Sequence, residues 1–195
     1  DCKHYFYVNP LAYDGKMLFN RNSNERQEWF GCACCPPNIA RLLASLEQYI
    51  YSAADDGIFV HLYAPSEATF EIGGKSLTLT QETDYPWGGK VNFAVQCETA
   101  VQAAVRLRVP GWCQSWRLSL NGDAIAPEIQ DKYLVLNREW CDGDSIELHM
   151  EMPVTQVVAD PRVEADRGRI ALQRGPIIYC VEQADHDVEV GSLTI

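Results

Sequence analysis

The sequence predicts a mainly β protein, an antiparallel β-sandwich preceded by a short helical segment. Short runs rich in β-branched and aromatic residues recur from residue 58 onward, which is typical of strands. Gly, Asn and Asp separate these runs, and the pairs Gly73-Gly74 and Asn121-Gly122 indicate tight turns. One stretch has apolar residues at helical spacing, at positions 39, 42, 43, 46 and 50. The chain has 195 residues, 47% of them hydrophobic, which is enough for a real core.

The first 51 residues are predicted to hold an extended stretch, a loop and then the helix. Residues 5–11 are aromatic, and Pro10 disfavours a helix at the residue before it. Residues 13–28 are polar and contain turn signals, which predicts a loop. Cys32, Cys34 and Cys35 follow, and the Pro-Pro step after them opens a predicted helix of about 12 to 14 residues.

Cys34 and Cys35 are expected just before the N-terminus of this helix, because proline is well accepted in a first helical turn. The positive end of the helix dipole favours a thiolate there, and a thiolate is both the nucleophilic and the metal-binding form of cysteine. The alternative is three half-buried thiols crowded at a helix start. No second pair of ligands stands at the spacing of a zinc finger, so spacing alone leaves both interpretations open.

The β-rich remainder is predicted to contain ten strands. They lie at residues 58–63, 68–72, 76–80, 90–96, 103–109, 117–120, 133–136, 145–152, 169–173 and 176–182. We therefore divide the chain into a helical segment at 1–51, a sandwich at 52–155, and a connector with the start of a further β-domain at 156–195. One helix of three to four turns cannot bury its apolar face alone, so the sequence looks like part of something larger.

Charge and cysteine usage restrict the partners and the compartment. The net charge is -11, which argues against nucleic acid and anionic membranes as partners and suits a neutral ligand. The eight cysteines form one tight cluster and several singletons, which favours a reducing, cytoplasmic location. Cys97 and Cys180 are expected to be buried, whereas Cys113 and Cys141 either pair or stay reduced.

Histidine and tryptophan give weaker functional signals. His61 falls in a predicted strand, which favours a structural role over a metal ligand. Four tryptophans could form a sugar-stacking platform: Trp87, Trp112, Trp116 and Trp140. Tryptophans more often pack in a core or at a sheet edge.

Residues 29–42, WFGCACCPPNIARL, resemble a motif of the bacterial β-L-arabinofuranosidase family, glycoside hydrolase family 127. Residues 5–11, YFYVNPL, support the resemblance, which extends over most of the chain. It implies that residues 1–51 are the carboxyl-terminal remnant of an (α/α)6 catalytic barrel and that β-sandwich domains follow. It also implies a zinc ion held by one glutamate and three cysteines, with a cysteine nucleophile and a separate glutamate as acid and base.

The resemblance assigns roles to particular residues. It places the nucleophile on Cys34, which is also a zinc ligand, and a further zinc ligand on Cys35, whereas Cys32 matches the motif without being implied as a ligand. Tyr7 corresponds to a tyrosine of the sugar pocket. The other ligands and the acid/base glutamate lie well upstream in the family, and no residue of this chain matches them.

The resemblance implies retaining hydrolysis of an L-arabinofuranoside, a small carbohydrate substrate, by a parent protein, and it implies that the isolated chain is inactive. An apolar helix face without a partner is also suited to forming a homodimer. The first alternative is a non-catalytic carbohydrate-binding or structural sandwich. The second is a thiol redox or zinc-storage module with a Cys32–Cys34 disulfide.

Overall fold

The structure is a computed structural model that describes residues 3–8, 16, 18, 23, 25–181 and 186–193. The chain forms two compact units, Asp1–Leu46 and Glu47–Ile195. No helix in the described part of the chain is long and apolar enough to span a membrane. The predicted domain division at 51/52 and 155/156 stays a prediction.

The described residues of the first unit contain one α-helix, α1 (Cys35–Ala44), with Pro36 in its first turn. It is shorter than the predicted 12 to 14 residues, because Ser45 caps its C-terminus: the Ser45 hydroxyl donates to the carbonyl oxygens of Arg41 and Leu42. Residues Leu46–Tyr49 then form a separate 3-10 turn. Tyr5 and Gln27 exchange two backbone hydrogen bonds of 2.9 Å, which brings the start of the chain to the segment before the cysteines.

Two sheets form the sandwich of the second unit. The first sheet has five strands in the order β1 (Tyr51–Ala54), β2 (Gly57–Val60), β6 (Val101–Arg108), β10 (Tyr133–Trp140) and β9 (Glu128–Gln130). The second has six, in the order β3 (Ser66–Ile72), β4 (Lys75–Thr83), β5 (Lys90–Gln96), β11 (Ser145–Met150), β7 (Trp116–Leu120) and β8 (Asp123–Ile125).

Both sheets contribute to one hydrophobic core, because their strands alternate between buried and exposed side chains. In β5, for example, Val91, Phe93 and Val95 are buried. Trp140 of β10 is fully buried, and its indole N–H donates to the Ala103 carbonyl at 2.9 Å. Trp140 is therefore a core residue, which is the more common role of a tryptophan, and it does not belong to a sugar-stacking platform.

The mainly β fold that the sequence predicts is confirmed, with one parallel pair among antiparallel ones in the described residues. Strands β2 and β6 run parallel, with Gly57 opposite Ala104. A Cβ atom on Gly57 would lie 2.0 Å from the Ala104 carbonyl oxygen, so only glycine lets the two backbones approach this closely. Strand β2 ends at Val60, so His61 lies just after the strand rather than inside it.

His61 makes a polar link across the first sheet. Its Nε2 lies 2.7 Å from the Ser52 hydroxyl, and its Nδ1 lies 2.7 Å from the Tyr133 hydroxyl. Burial and the nearby Arg108 guanidinium lower the pKa of His61, which favours the neutral ring. These contacts support the structural role expected for this histidine.

Asp144 anchors the turn between β10 and β11. One of its carboxylate oxygens accepts a hydrogen bond from the Asn121 amide at 2.7 Å, and the other accepts from the Cys141 backbone N–H at 2.9 Å. Burial opposes ionisation, but these bonds and the Arg138 guanidinium outweigh it and lower the pKa of Asp144. The ionised carboxylate therefore stabilises this turn.

A third, antiparallel sheet contains β12 (Val154–Val157), β13 (Ala171–Arg174) and β14 (Ile177–Tyr179). The last strand is shorter than predicted, and Cys180 just after it is exposed, so its predicted burial was wrong. Cys97 is half-buried; Cys113 is buried and Cys141 exposed, and all three are free thiols.

Candidate active site

The sulfur atoms of Cys32, Cys34 and Cys35 form a compact cluster at the start of α1, with all three within 4.8 Å of one another. The Cys32 and Cys34 sulfurs are 3.1 Å apart, and those of Cys34 and Cys35 are 3.6 Å apart. Cys34 is exposed, whereas the other two are half-buried. The cluster can therefore be reached from solvent through Cys34.

The backbone before α1 turns sharply and gathers the three side chains. Gly31 has a φ of +64°, a conformation that residues with a Cβ atom rarely adopt. A Cβ there would meet nothing within 4 Å, so conformation rather than space favours glycine. Cys34 is the N-cap residue and Cys35 the first residue of the helix, so Cys35 lies one position further into α1 than predicted.

Tyr7 brings a hydroxyl group to the same cluster. Its oxygen lies 3.0 Å from the Cys35 sulfur and 3.6 Å from the Cys32 sulfur. The edge of its ring packs against Phe30, with the ring centroids 5.5 Å apart. The structure thus places together all three residues that the sequence singled out, Cys34, Cys35 and Tyr7.

The hydrogen bonds within the cluster decide which sulfur carries negative charge. Contacts from the Cys34 thiol and then from the Tyr7 hydroxyl lower the pKa of Cys32 to about 6. The same contact with Cys32, followed by that with Cys35, raises the pKa of Cys34. Proton sharing among the three thiols therefore favours a thiolate at Cys32, and a cation is needed to favour one at Cys34.

The sulfur separations can be compared with those of a zinc site. Zinc holds four ligands tetrahedrally with Zn–S bonds of about 2.3 Å, so two sulfurs on one ion lie about 3.8 Å apart. The 3.6 Å between Cys34 and Cys35 is within about 0.2 Å of this value. The 3.1 Å between Cys32 and Cys34 is about 0.7 Å too short. The pair Cys34–Cys35 therefore fits a shared zinc ion as it stands.

In the described residues, the cluster of metal-ligating side chains consists of these three cysteines. His4 lies instead 3.6 Å from Glu28. The sequence motif already contained Cys32. Its spacing did not indicate that the Cys32 sulfur would be nearer to the Cys34 sulfur than the Cys35 sulfur is.

Comparison with known proteins identifies the family. Residues 1–48 match the catalytic domain, 57–152 the middle domain and 154–195 the C-terminal domain of the glycoside hydrolase family 127 β-L-arabinofuranosidases. The chain belongs to this family. The helix and the cysteine cluster lie in the part that matches the catalytic domain, and the sandwich corresponds to the family 127 middle domain.

Individual relatives agree with this family assignment. The chain is 40% identical over 200 residues to a non-reducing end β-L-arabinofuranosidase of Bifidobacterium longum subsp. longum, covering 95% of this chain and 29% of the relative. A solved family 127 β-L-arabinofuranosidase from Geobacillus stearothermophilus T6 is 44% identical, with a TM-score of 0.84 over 93% of this chain and 30% of that chain. A second solved family 127 β-arabinofuranosidase is 36% identical, with a TM-score of 0.85 over 97% of this chain and 31% of that chain.

Proposed function

We propose that this chain supplies the cysteine part of the active site of a retaining β-L-arabinofuranosidase, with Cys34 as the nucleophile. The observation that carries the proposal is the Cys34–Cys35 sulfur pair, 3.6 Å apart at the start of α1. This pair lies within the match to the family catalytic domain. The chain spans 29% of the length of the Bifidobacterium longum relative, so the activity belongs to a longer polypeptide.

In this mechanism the Cys34 sulfur attacks the anomeric carbon of the arabinofuranosyl unit while the bond to the leaving oxygen breaks. A glutamate acid, implied by the family resemblance and outside this chain, protonates that oxygen. The same glutamate, now deprotonated, takes a proton from water, which attacks the same carbon and breaks its bond to the Cys34 sulfur, so two inversions give net retention. The usual nucleophile of a retaining glycosidase is a carboxylate, and here a thiolate takes its place.

Cys34 and Cys35 are the residues of this chain that would hold zinc. Bound zinc would keep the sulfurs that bind it ionised at neutral pH. The pKa of Cys34 is raised by its contacts with Cys32 and then Cys35, so this thiol needs a nearby positive charge to ionise. The zinc ion would provide that charge. Tyr7, whose hydroxyl lies 3.0 Å from the Cys35 sulfur, would orient that sulfur, and the family resemblance implies that it also lines the sugar pocket.

The test uses a chimera in which this chain replaces the corresponding residues of the Bifidobacterium longum relative. We expect the chimera to hydrolyse an aryl β-L-arabinofuranoside and Cys34→Ser to abolish turnover. Cys141→Ser, which removes an exposed thiol of the sandwich, is the matched control and should leave the rate unchanged. A Cys34→Ser chimera that retains its rate would refute the proposal.

The 195-residue chain alone should be inactive. It offers the Cys34–Cys35 pair where the family resemblance implies four zinc ligands, and two ligands hold zinc weakly. Turnover by the isolated chain that Cys34→Ser abolishes would overturn this expectation. We further propose a cytoplasmic location, because the cysteines form one tight cluster and several singletons and not the spacing of a secreted disulfide scaffold.

Trp87 favours a second candidate function, carbohydrate binding by the sandwich. Its side chain is 67% exposed, and Arg174 donates a hydrogen bond of 2.8 Å to its carbonyl oxygen. Gly88 and Gly89 after it pack so closely that a Cβ on either would collide with neighbouring atoms. Trp87 is therefore an exposed aromatic ring on a well-supported turn, a typical feature of sugar-stacking sites.

Titration with an arabino-oligosaccharide, followed by tryptophan fluorescence, tests this second candidate. A response in the 195-residue chain that Trp87→Ala removes would support carbohydrate binding. No response, or the same response in Trp87→Ala and wild type, would favour a structural role for the sandwich.

A further inference from the structure

Cys32 has no role in the proposed mechanism, yet among the described cysteines of the cluster its sulfur is the nearer one to the proposed nucleophile. Its sulfur lies 3.1 Å from that of Cys34, compared with 3.6 Å for Cys35. The separation between Cys32 and Cys34 is too short for two sulfurs on one zinc ion. Two thiols in near contact, one of them exposed, are instead suited to oxidation.

We propose that Cys32 is a resolving thiol that forms a reversible disulfide with Cys34. A disulfide bond is about 2.05 Å long, so the two sulfurs need to approach by about 1 Å. The Cys34–Cys35 pair would need to close about 1.5 Å, and a disulfide between adjacent residues also strains the planar trans peptide between them. Both considerations favour Cys32 over Cys35 as the partner.

The reaction requires an oxidant, and the class that fits an exposed thiol is a hydroperoxide. Cys34, the exposed sulfur, passes its proton to the Cys32 thiolate 3.1 Å away and attacks the terminal peroxide oxygen. The O–O bond breaks, the leaving oxygen takes that proton back from Cys32, and the products are a Cys34 sulfenic acid and an alcohol, or water when the peroxide is H₂O₂. The Cys32 thiolate then attacks the Cys34 sulfur, the S–O bond breaks, and hydroxide leaves and takes a proton from the solvent to become water. Two thiols are oxidised by two electrons and one peroxide is reduced.

The consequence of the disulfide rests on the proposed function. While it is present, Cys34 can neither attack a sugar nor bind zinc, so activity stops. A dithiol reductant reverses the reaction by thiol–disulfide exchange. Without Cys32, the sulfenic acid at Cys34 would persist and proceed to the sulfinic acid, which dithiols do not reduce. Cys32 thus protects the nucleophile from irreversible oxidation.

The disulfide can be detected in the 195-residue chain without any activity assay. The chain is treated with H₂O₂, its remaining thiols are alkylated, and trypsin is added. Cleavage after Arg26 and Arg41 releases residues 27–41, which contain Cys32, Cys34 and Cys35 together. We expect oxidation to remove two hydrogens, about 2 Da, from this peptide before alkylation. The one thiol left to be alkylated should be that of Cys35.

Variants identify the pair. Cys35→Ser should still form the disulfide, whereas Cys32→Ser and Cys32→Ala should not, and should accumulate sulfinic acid at Cys34. An alkyl group on Cys32 beside a Cys34–Cys35 disulfide would overturn the proposal, as would a Cys32→Ser peptide that loses the same 2 Da.

A second arm uses the chimera. H₂O₂ should inactivate both the wild-type chimera and its Cys32→Ser variant. The fraction of activity that dithiothreitol restores should be at least tenfold higher in wild type than in Cys32→Ser. Equal recovery of the two would overturn the protective role. A chimera that forms the disulfide but never hydrolyses the arabinofuranoside would support the Cys32–Cys34 pairing and refute the proposed function alone.

Discussion

The sulfur geometry predicts that zinc affinity depends on Cys35 far more than on Cys32. The change is a single substitution, Cys35→Ser or Cys32→Ser, made separately in the chimera. The Cys34–Cys35 separation of 3.6 Å matches that of two sulfurs on one zinc ion, and the 3.1 Å between Cys32 and Cys34 does not. Only the first substitution should remove a ligand.

The expected size follows from the energetics of zinc sites. Four-ligand zinc sites bind with about 10 to 16 kcal/mol, or about 2.5 to 4 kcal/mol for each ligand. Loss of one ligand should therefore weaken binding by about two to three orders of magnitude. Cys32→Ser removes only a neighbouring hydrogen-bonding group, for which a loss of about tenfold is the expected size.

The assay is competition for zinc with a chromophoric chelator, under anaerobic conditions so that no disulfide forms. Cys141→Ser is the control for loss of a thiol outside the cluster, and it should bind zinc like wild type. Equal losses of affinity in Cys32→Ser and Cys35→Ser would refute the assignment of the zinc pair from the sulfur separations.

The remaining predictions concern the fold and Tyr7. Asp144→Asn should lower the free energy of unfolding by about 1 to 3 kcal/mol at pH 7 in urea titrations. Because the pKa of Asp144 is lower in the folded protein, its stabilising effect is fully present above the pKa that it has in the unfolded chain, and is lost as the pH falls through its pKa in the folded state. A loss of stability in Asp144→Asn at pH 2 equal to the loss at pH 7 would contradict this. Gly57→Ala should cost about 1 to 3 kcal/mol, because its Cβ would lie 2.0 Å from a carbonyl oxygen. Gly111→Ala, with open space around it, should change stability by less than about 0.5 kcal/mol, and equal effects at the two glycines would refute the steric argument. Tyr7→Phe should lower kcat/KM of the chimera about tenfold through loss of a hydrogen bond to a thiolate, whereas Tyr49→Phe, at an exposed tyrosine, should match wild type. A Tyr7→Phe rate equal to that of Tyr49→Phe would exclude this role for the hydroxyl.

The sequence predicted the strands well where alternation and turn residues agreed. In β5, the alternating pattern and the observed burial of Val91, Phe93 and Val95 coincide. The parallel pairing of β2 with β6 could not be predicted, because it depends on a close contact between Gly57 and Ala104, which are far apart in the sequence. The helix ended early because the Ser45 hydroxyl bonds to its last carbonyls, a local competition that apolar spacing does not reveal.

The family resemblance pointed to Cys34, Cys35 and Tyr7, and the structure brings these residues into one cluster, but their roles stay a prediction. The geometry of the cluster could not be predicted. The approach of Tyr7 to within 3.0 Å of Cys35 bridges 28 positions of the chain, and local spacing cannot predict it. The 3.1 Å contact of Cys32 with Cys34 follows from the turn at Gly31, whose φ only the structure provides.

The central claim is that Cys34 becomes covalently attached to the sugar during turnover. The most direct measurement is to quench the chimera with acid during hydrolysis of an activated aryl β-L-arabinofuranoside and to analyse residues 27–41 by mass spectrometry. We expect this peptide to gain the mass of one arabinofuranosyl group, fragmentation to place the group on Cys34, and Cys34→Ala to abolish it. A sugar found instead on a carboxylate, or on Cys32 or Cys35, would contradict a nucleophilic role of Cys34.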